Sequence, residues 1–115
     1  MSSLSEEQYD ALAFPELHAL VRALDALESP DVEAELASDI LVVEFTDGTK
    51  YVVNSHRAAR QIWMAAERNA WHFDWVPEKR QWIAEKSGDE LWSTVSRVIE
   101  KRLGAKVTLV RRDDA

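Results

Sequence analysis

The chain has 115 residues, a length that suits one domain folded around one hydrophobic core. Apolar residues make up 46% of the chain and charged residues 30%, which is the balance of a folded globular protein and not of a disordered one. No apolar run approaches the roughly 20 residues that a membrane-spanning helix requires, and the absence of cysteine excludes disulfides, thiolate metal sites and thiol catalysis. We therefore expect residues 1–115 to form a single cytoplasmic domain, since the first residues also lack the features of a secretory signal or a transit peptide.

The net charge of −7 is unevenly distributed along the chain. Residues 1–47 contain 12 acidic residues and one basic residue, a net charge of −11, whereas residues 48–115 carry a net charge of +4. This asymmetry indicates two electrostatically different surfaces, although an acidic, solvated surface that only keeps the protein in solution explains it equally well. The isoelectric point near 4.9 argues against a nucleic-acid partner.

Residues 5–28 are predicted to form a helix, because apolar residues recur at steps of three and four. Ser5 suits the position before the first helical turn, and the Ser29-Pro30 pair ends the pattern. Pro15 conflicts with a continuous helix, so either the helix kinks there or a short first helix ends and a second one begins near Pro15. The apolar stripe consists of Tyr9, Ala13, Leu17, Leu20, Leu24 and Leu27.

The region that follows changes to the period of two that is typical of half-buried strands. Thr46-Asp47-Gly48-Thr49 has the composition of a hairpin turn, and the short distances between the apolar runs favour an antiparallel meander. The predicted strands cover residues 32–36, 40–45, 50–54, 61–66, 70–76 and 80–84.

A second helix is predicted from the apolar stripe between residues 91 and 103. Ser87, with Glu90 three residues later, has the pattern of a capping box and is the predicted N-cap. A short apolar tail at residues 107–110 is expected to pack on the core. The order of one helix, about six strands and one helix predicts an α+β two-layer sandwich, in which both helices pack on one face of an antiparallel meander sheet. The other face is then left to solvent or to a partner.

Several segments in this arrangement form a recognisable pattern: residues 40–50, 61–65, 72–74 and 87–88, together with Asn54 and Trp82. The combination of an asparagine, a later Gln-Ile-Trp and an aromatic-Asp strand is fairly specific. This pattern resembles the frataxin family, most closely its bacterial branch, and the similarity covers nearly the whole chain. The resemblance implies the same α-β sandwich and a role in iron–sulfur cluster assembly, with contacts to a cysteine desulfurase and an iron–sulfur scaffold protein.

The resemblance also implies that iron, as Fe²⁺ or Fe³⁺, is bound weakly by carboxylates of the first helix and the first strand. Alternation along the strand places Asp31, Glu33 and Glu35 on one side, which makes them the tightest predicted cluster. Carboxylate oxygens are hard ligands that suit ferric iron. The full predicted set is Asp10, Asp25, Asp31, Glu33 and Glu35, with Glu7 and Glu28 close by, whereas Phe14, His18, Val21, Arg22 and Ala26 occupy positions that are often acidic in the family.

A partner surface is predicted on the open face of the sheet. Because Ile62 and Met64 suit the face that the helices cover, Trp63 is expected on the opposite face, with Asn54 and Gln61 near it. An exposed tryptophan flanked by amides is typical of an interface anchor, as the resemblance also implies, although tryptophan is commonly a core residue.

Two further groups of side chains are predicted to lie on the surface. His56 and His72 are predicted to be isolated surface residues and not metal ligands. A loose basic patch beside the open face is predicted from Arg57, Arg60 and Arg68.

These features favour a binding and regulatory protein, an iron-binding adaptor of cluster assembly, over an enzyme. The sequence has no paired catalytic carboxylates with a pocket, no glycine-rich phosphate loop and no nucleophile–base motif. Two alternatives stay open: a ferroxidase or iron-storage activity on the acidic residues, and an interaction domain that has lost metal binding. We expect a monomer with no organic cofactor and no membrane partner, and leave iron-dependent oligomers as an alternative.

Overall fold

The structure, a computed structural model, describes residues 4–111. Its six strands pair in chain order, each antiparallel to the next, so they form one meander sheet. The predicted α+β class and the order of helix, meander and helix are confirmed. The elements are α1 (Glu6–Asp25), β1 (Val32–Ala37), β2 (Ile40–Phe45), β3 (Lys50–His56), a 3₁₀ turn (Arg57–Ala59), β4 (Gln61–Ala66), β5 (Asn69–Val76), β6 (Gln81–Ala84) and α2 (Leu91–Leu103).

The hydrophobic core lies between the two helices and one face of the sheet. Alternate side chains of the strands point into it, and Leu41, Val53 and Ile62 are each at most 1% exposed. Trp82 and Phe73 are among the bulkiest sheet residues in this layer, at 1% and 0% exposed. The strand residues that alternate with these core residues point to the opposite face of the sheet, which neither helix covers. We call this surface the open face.

Helix α1 begins with a capping box and runs without interruption through Pro15. The Ser5 side chain accepts from the Gln8 N–H (3.1 Å), and the Gln8 side chain accepts from the Ser5 N–H (2.9 Å). The predicted alternative of two helices meeting at Pro15 is wrong, because the buried stripe on both sides of the proline holds one helix against the sheet. The predicted end at residue 28 is also wrong: the helix ends at Asp25, and Glu28 has the left-handed φ of 51°.

Helix α2 is capped by a different residue from the one predicted. Its N-cap is Glu90, whose carboxylate accepts from the N–H groups of Trp92 (2.8 Å) and Ser93 (3.0 Å). Ser87 instead belongs to the turn that follows β6, where its hydroxyl accepts from the Asp89 N–H (3.3 Å). The longer glutamate side chain reaches the first helical N–H groups directly and places its negative charge at the positive end of the helix dipole.

A buried carboxylate connects α1, α2 and the residues after α2. Glu16 is 4% exposed and accepts hydrogen bonds from the Trp92 indole N–H and from the Arg111 guanidinium, at 2.5 and 2.9 Å for the latter. Val107, at 8% exposed, belongs to the core, so the predicted packing of the apolar tail is confirmed. Within residues 4–111, neither helix is both long and apolar enough to cross a bilayer.

Candidate partner surface and acidic surface

The strand register organises the centre of the open face. Trp63 on β4 lies directly opposite Asn54 on β3 and His72 on β5, and Gln61 lies opposite His56. Residues two apart along a strand share a face, so these five side chains lie together on the open face. The intervening residues of β4 are buried in the core. Trp63, Asn54 and Gln61 therefore share the surface on which they were predicted, while their role in binding stays a prediction.

The Trp63 ring is held between two imidazoles. The His56 ring stacks on one side at 3.7 Å between centroids and 15° between planes, and the His72 ring stacks on the other at 4.2 Å and 13°. The indole N–H donates to the Gln61 side-chain oxygen at 2.8 Å, which fixes the rotation of the ring. The prediction that His56 and His72 are isolated is wrong, because β3 continues two residues beyond its predicted end and carries His56 to the stack.

Tyr9 supports this arrangement from the core side. Its hydroxyl donates to the Gln61 carbonyl oxygen (2.5 Å) and accepts from the His56 N–H (3.0 Å). Its ring packs edge-on against Trp82 at 5.9 Å. Helix α1 is thereby tied to the ends of β3 and β4 that carry two of the residues around Trp63.

Replacing Tyr9 by Phe is expected to lower the free energy of unfolding by about 1 kcal/mol at neutral pH, because two hydrogen bonds are lost. It should also reduce the loss of stability at alkaline pH. Burial raises the pKa of Tyr9 above its ordinary value of 10.0, so the unfolded chain releases this proton first as the pH rises. The stabilisation that comes from the protonated Tyr9 is therefore complete below about pH 10 and is lost as the pH rises above that value.

Urea denaturation at about pH 8 and about pH 11 measures this effect. Burial also raises the pKa of Tyr51, so both tyrosines should contribute to the fall in unfolding free energy at alkaline pH. Each single variant, Tyr9→Phe or Tyr51→Phe, should therefore show a smaller fall than the wild type but not lose it entirely. An alkaline loss as large in Tyr9→Phe as in the wild type would contradict the assignment.

The seven predicted metal ligands fall into two separate groups. Glu7 and Asp10 lie in the first half of α1, and Asp25 lies 15 residues beyond Asp10, or about 22 Å along the helix axis. The two groups cannot share one ion. The second group follows the turn into the sheet edge, and we call it the acidic surface: Asp25, Glu28, Asp31, Glu33 and Glu35, all exposed.

Sequence reasoning missed one member of this surface. Glu44 on β2 lies directly opposite Glu33 on β1, so two carboxylates stand side by side on the open face. Both line a shallow cleft of about 490 Å³ together with Asp31. The sequence feature that could have predicted this pair is the two-residue connection between β1 and β2. It sets Ala37 opposite Ile40 and hence Glu33 opposite Glu44.

Asp10 is already engaged by a cation. Arg57 donates from Nε to both carboxylate oxygens of Asp10 (3.1 and 3.2 Å) and lies 3.5 Å from Glu6. Arg60 also faces α1, at 4.0 Å from Glu6. The predicted basic patch beside the open face is therefore wrong: these two arginines face α1, and Arg68 lies at the separate β4–β5 turn. A metal ion at Asp10 would have to displace Arg57.

The acidic surface suits loose binding of hard cations. Among residues 4–111, no three carboxylate or imidazole groups converge closely enough to hold one ion. Exposed carboxylates offer hard oxygen ligands of the kind that Fe²⁺ or Fe³⁺ accepts, and water would complete the shell of any ion held here. The donor set is therefore that of an open surface and not of an enclosed metal centre.

The fold and the match to known proteins identify the family. The two-layer sandwich, with two helices on one face of a six-stranded antiparallel sheet, is that of the frataxin from Psychromonas ingrahamii, with a TM-score of 0.84, 24% identity, and coverage of 94% of this chain and 100% of that one. The trimeric frataxin of Saccharomyces cerevisiae complexed with ferrous iron has the same fold, with a TM-score of 0.70 and 23% identity over 90% of each chain.

The sequence comparison extends the likeness beyond the fold. Residues 2–105 match the model of the frataxin-like domain. The iron-sulfur cluster assembly protein CyaY of Tolumonas auensis is 32% identical over 106 residues, which is 92% of this chain and 99% of that protein. The chain therefore belongs to the frataxin-like family.

Proposed function

We propose that this protein is an iron-binding adaptor of iron–sulfur cluster assembly that docks on a complex of a cysteine desulfurase and a scaffold protein. The observation that carries the proposal is the end-to-end match to a relative named for cluster assembly. The open face adds a preformed aromatic group for such docking, because Trp63 is held by two stacked imidazoles and one hydrogen bond. Binding of the purified desulfurase–scaffold complex tests the proposal, and no saturable binding with or without Fe²⁺ would contradict it.

Iron is the cargo in this proposal. The ferrous complex of the yeast relative supports an association with iron within the family, and the exposed carboxylates of β1 supply oxygen ligands here. The same carboxylates are proposed to contact a basic surface of the desulfurase. Contacts between exposed charges are screened by salt, so this part of the docking should weaken steeply as the ionic strength rises.

The triple variant Asp31→Asn, Glu33→Gln and Glu35→Gln is expected to lose most of the weak binding of Fe²⁺ and Fe³⁺. Each substitution removes a negative charge and keeps the shape of the side chain, so the attraction is lost without disturbing β1. Titration followed by amide chemical shifts measures the binding. The control is Glu78→Gln with Glu85→Gln, which removes two charges at exposed positions outside the acidic surface and should bind as the wild type does. Equal binding by the triple variant and the wild type would place the site elsewhere.

One observation favours a second candidate, an interaction domain that no longer binds iron. Arg57 occupies the carboxylate of Asp10, and the α1 surface carries Phe14 and His18 in edge-to-face contact at 4.6 Å in place of acids. The same iron titration separates the two candidates, because this domain would dock without any shift on adding Fe²⁺.

We also propose that the protein acts in the cytoplasm without catalysing a reaction of its own. The acidic surface is open and lacks a converging ligand group among the described residues, so nothing there holds two irons for oxidation by oxygen. Oxygen consumption by Fe²⁺ should be no faster with the protein than without it. A clear acceleration would instead favour a ferroxidase.

A further inference from the structure

The first half of β5 has an unpaired edge. The strand is eight residues long, yet β6 pairs only with its residues 73–76. Residues 69–72 therefore pair with β4 on one side and with no strand on the other, within the part of the chain that the structure describes. We call these four residues the β5 edge. Their outward backbone N–H and C=O groups are available to another extended chain.

A cleft lined by basic side chains lies beside this edge. It has a volume of about 610 Å³ and runs between the β4–β5 turn and α2. Trp71 and Val98, both half-buried, and the buried Ala66 give it an apolar floor. Its charged rim consists of Arg68, Arg97, Lys101 and Arg102, against the single acid Glu67.

The single acid of this cleft is already engaged, and two of the cations are not. Glu67 accepts a hydrogen bond from the Tyr51 hydroxyl and lies 3.5 Å from Arg102. Arg68 and Lys101 make no ion pair with any residue in the range 4–111. The unbalanced charge of the cleft is therefore positive, in a protein whose net charge is −7.

The opposite end of the β5 edge has the reverse charge. A second cleft of about 750 Å³ shares Asn69 and Trp71 with the first and extends to the turn after β6. Its acids are Asp74, Glu85 and Asp89, against Lys86. A chain lying along the edge thus meets cations near the β4–β5 turn and acids near the β6–α2 turn.

We propose that the β5 edge binds an extended peptide segment of a partner protein, with the acidic part of that segment in the basic cleft. The backbone of the segment adds to residues 69–72 as a further antiparallel or parallel strand, an apolar side chain rests against Trp71, and carboxylates face Arg68 and Lys101. This surface adjoins the open face at His72, whose ring stacks on Trp63, and is separate from the acidic surface. The proposal does not depend on iron binding or on docking to a desulfurase.

The test uses the full chain and a synthetic probe. The probe is a fluorescently labelled peptide, Glu-Val-Glu-Val-Thr-Val-Thr, together with the peptide of reversed order, because the direction of the added strand is not fixed by the charges. Fluorescence anisotropy is expected to show saturable binding of at least one of them, weakening as salt is added. Amides of residues 69–72 that point away from β4 should exchange more slowly with solvent in the complex, and the Trp71 indole resonance should shift.

Two variants separate the basic cleft from general charge effects. Arg68→Glu with Lys101→Glu should weaken peptide binding by about tenfold, because two exposed ion pairs are lost and replaced by repulsion. Lys79→Glu with Lys106→Glu changes the net charge equally at exposed positions outside the cleft and should bind as the wild type does. Unchanged circular dichroism in both variants shows that the fold is retained.

Four outcomes would overturn the proposal. The first is no saturable binding of either peptide, and the second is equal loss of binding in the two charge variants. The third is binding of a peptide with N-methylated backbone amides that equals binding of the unmodified peptide, or complete competition by inorganic triphosphate. Either result indicates a simple anion site and no added strand. The fourth is a dimer in sedimentation that the Arg68→Glu and Lys101→Glu variant no longer forms, since a second copy of this chain would then be the occupant.

Discussion

Replacing Trp63 by Ala is expected to weaken binding to the desulfurase–scaffold complex by about 30-fold or more, the loss of about 2 kcal/mol that follows removal of an aromatic anchor. The ring lies on the open face, so the fold should survive, and the circular dichroism spectrum should be that of the wild type. The stability cost comprises the two imidazole contacts, at about 0.5 to 1.5 kcal/mol each, and the hydrogen bond from the indole N–H to Gln61, at about 1 kcal/mol. Because an aromatic anchor acts through close contact and not through charge, the loss should be the same at low and at high salt.

The control for this variant is Val110→Ala, which shortens an apolar side chain that is 54% exposed and lies outside the open face. It should bind as tightly as the wild type. Biolayer interferometry at two salt concentrations measures both variants. A globally unfolded Trp63→Ala protein would mean that the ring is part of the core, and a folded variant with wild-type affinity would remove Trp63 from the interface.

The second large effect is expected for Glu16→Ala, which should lower the free energy of unfolding by about 2 to 3 kcal/mol. The substitution removes the acceptor of the Trp92 indole N–H and of two Arg111 hydrogen bonds, in a site where the Glu16 side chain is only 5% exposed. The cost stays below that of a fully buried pair, because Arg111 is 43% exposed and can turn to water.

Two matched variants test this account by urea denaturation. Glu16→Gln keeps the size and an acceptor for the Trp92 N–H, so it should fall between Glu16→Ala and the wild type. Glu85→Ala removes an exposed acid and should change stability by less than about 0.5 kcal/mol. If Glu16→Ala is no more harmful than Glu85→Ala, the carboxylate does not hold the helices and the tail together.

The fold was largely predictable because burial imposes a local period on the sequence. A helix with one buried stripe repeats every three to four residues and a strand with one buried face repeats every two, and these patterns locate both helices and all six strands. The errors lie where an element ends. Helix α1 ends at Asp25 with Ala26 as its C-cap, and the start of α2 depends on which side chain reaches the first N–H groups. Neither feature changes the apolar pattern.

The candidate partner surface was predictable in part for the same reason. Alternation places Asn54, Gln61 and Trp63 on the face away from the core, whatever their neighbours are. The stacking of His56 and His72 on Trp63 needs the pairing register, which side-chain alternation does not contain. For His72 a signal existed: the two-residue turn between β4 and β5 sets Ala66 opposite Asn69, and therefore Trp63 opposite His72.

The sequence by itself thus determined which face of each element is buried, and with it the two-layer architecture and the position of Trp63. Only the tertiary structure decided which charges neutralise each other. Arg57 meets Asp10 across 47 residues, and Arg111 meets Glu16 across 95. These pairs form because α1 packs against the sheet and the residues after α2 return to α1. Both arrangements depend on the packing of the whole core. A carboxylate that looks free along the chain can therefore be engaged in the fold, as Asp10 is, while Glu33 and Glu44 are brought together with no ion pair to either of them among residues 4–111.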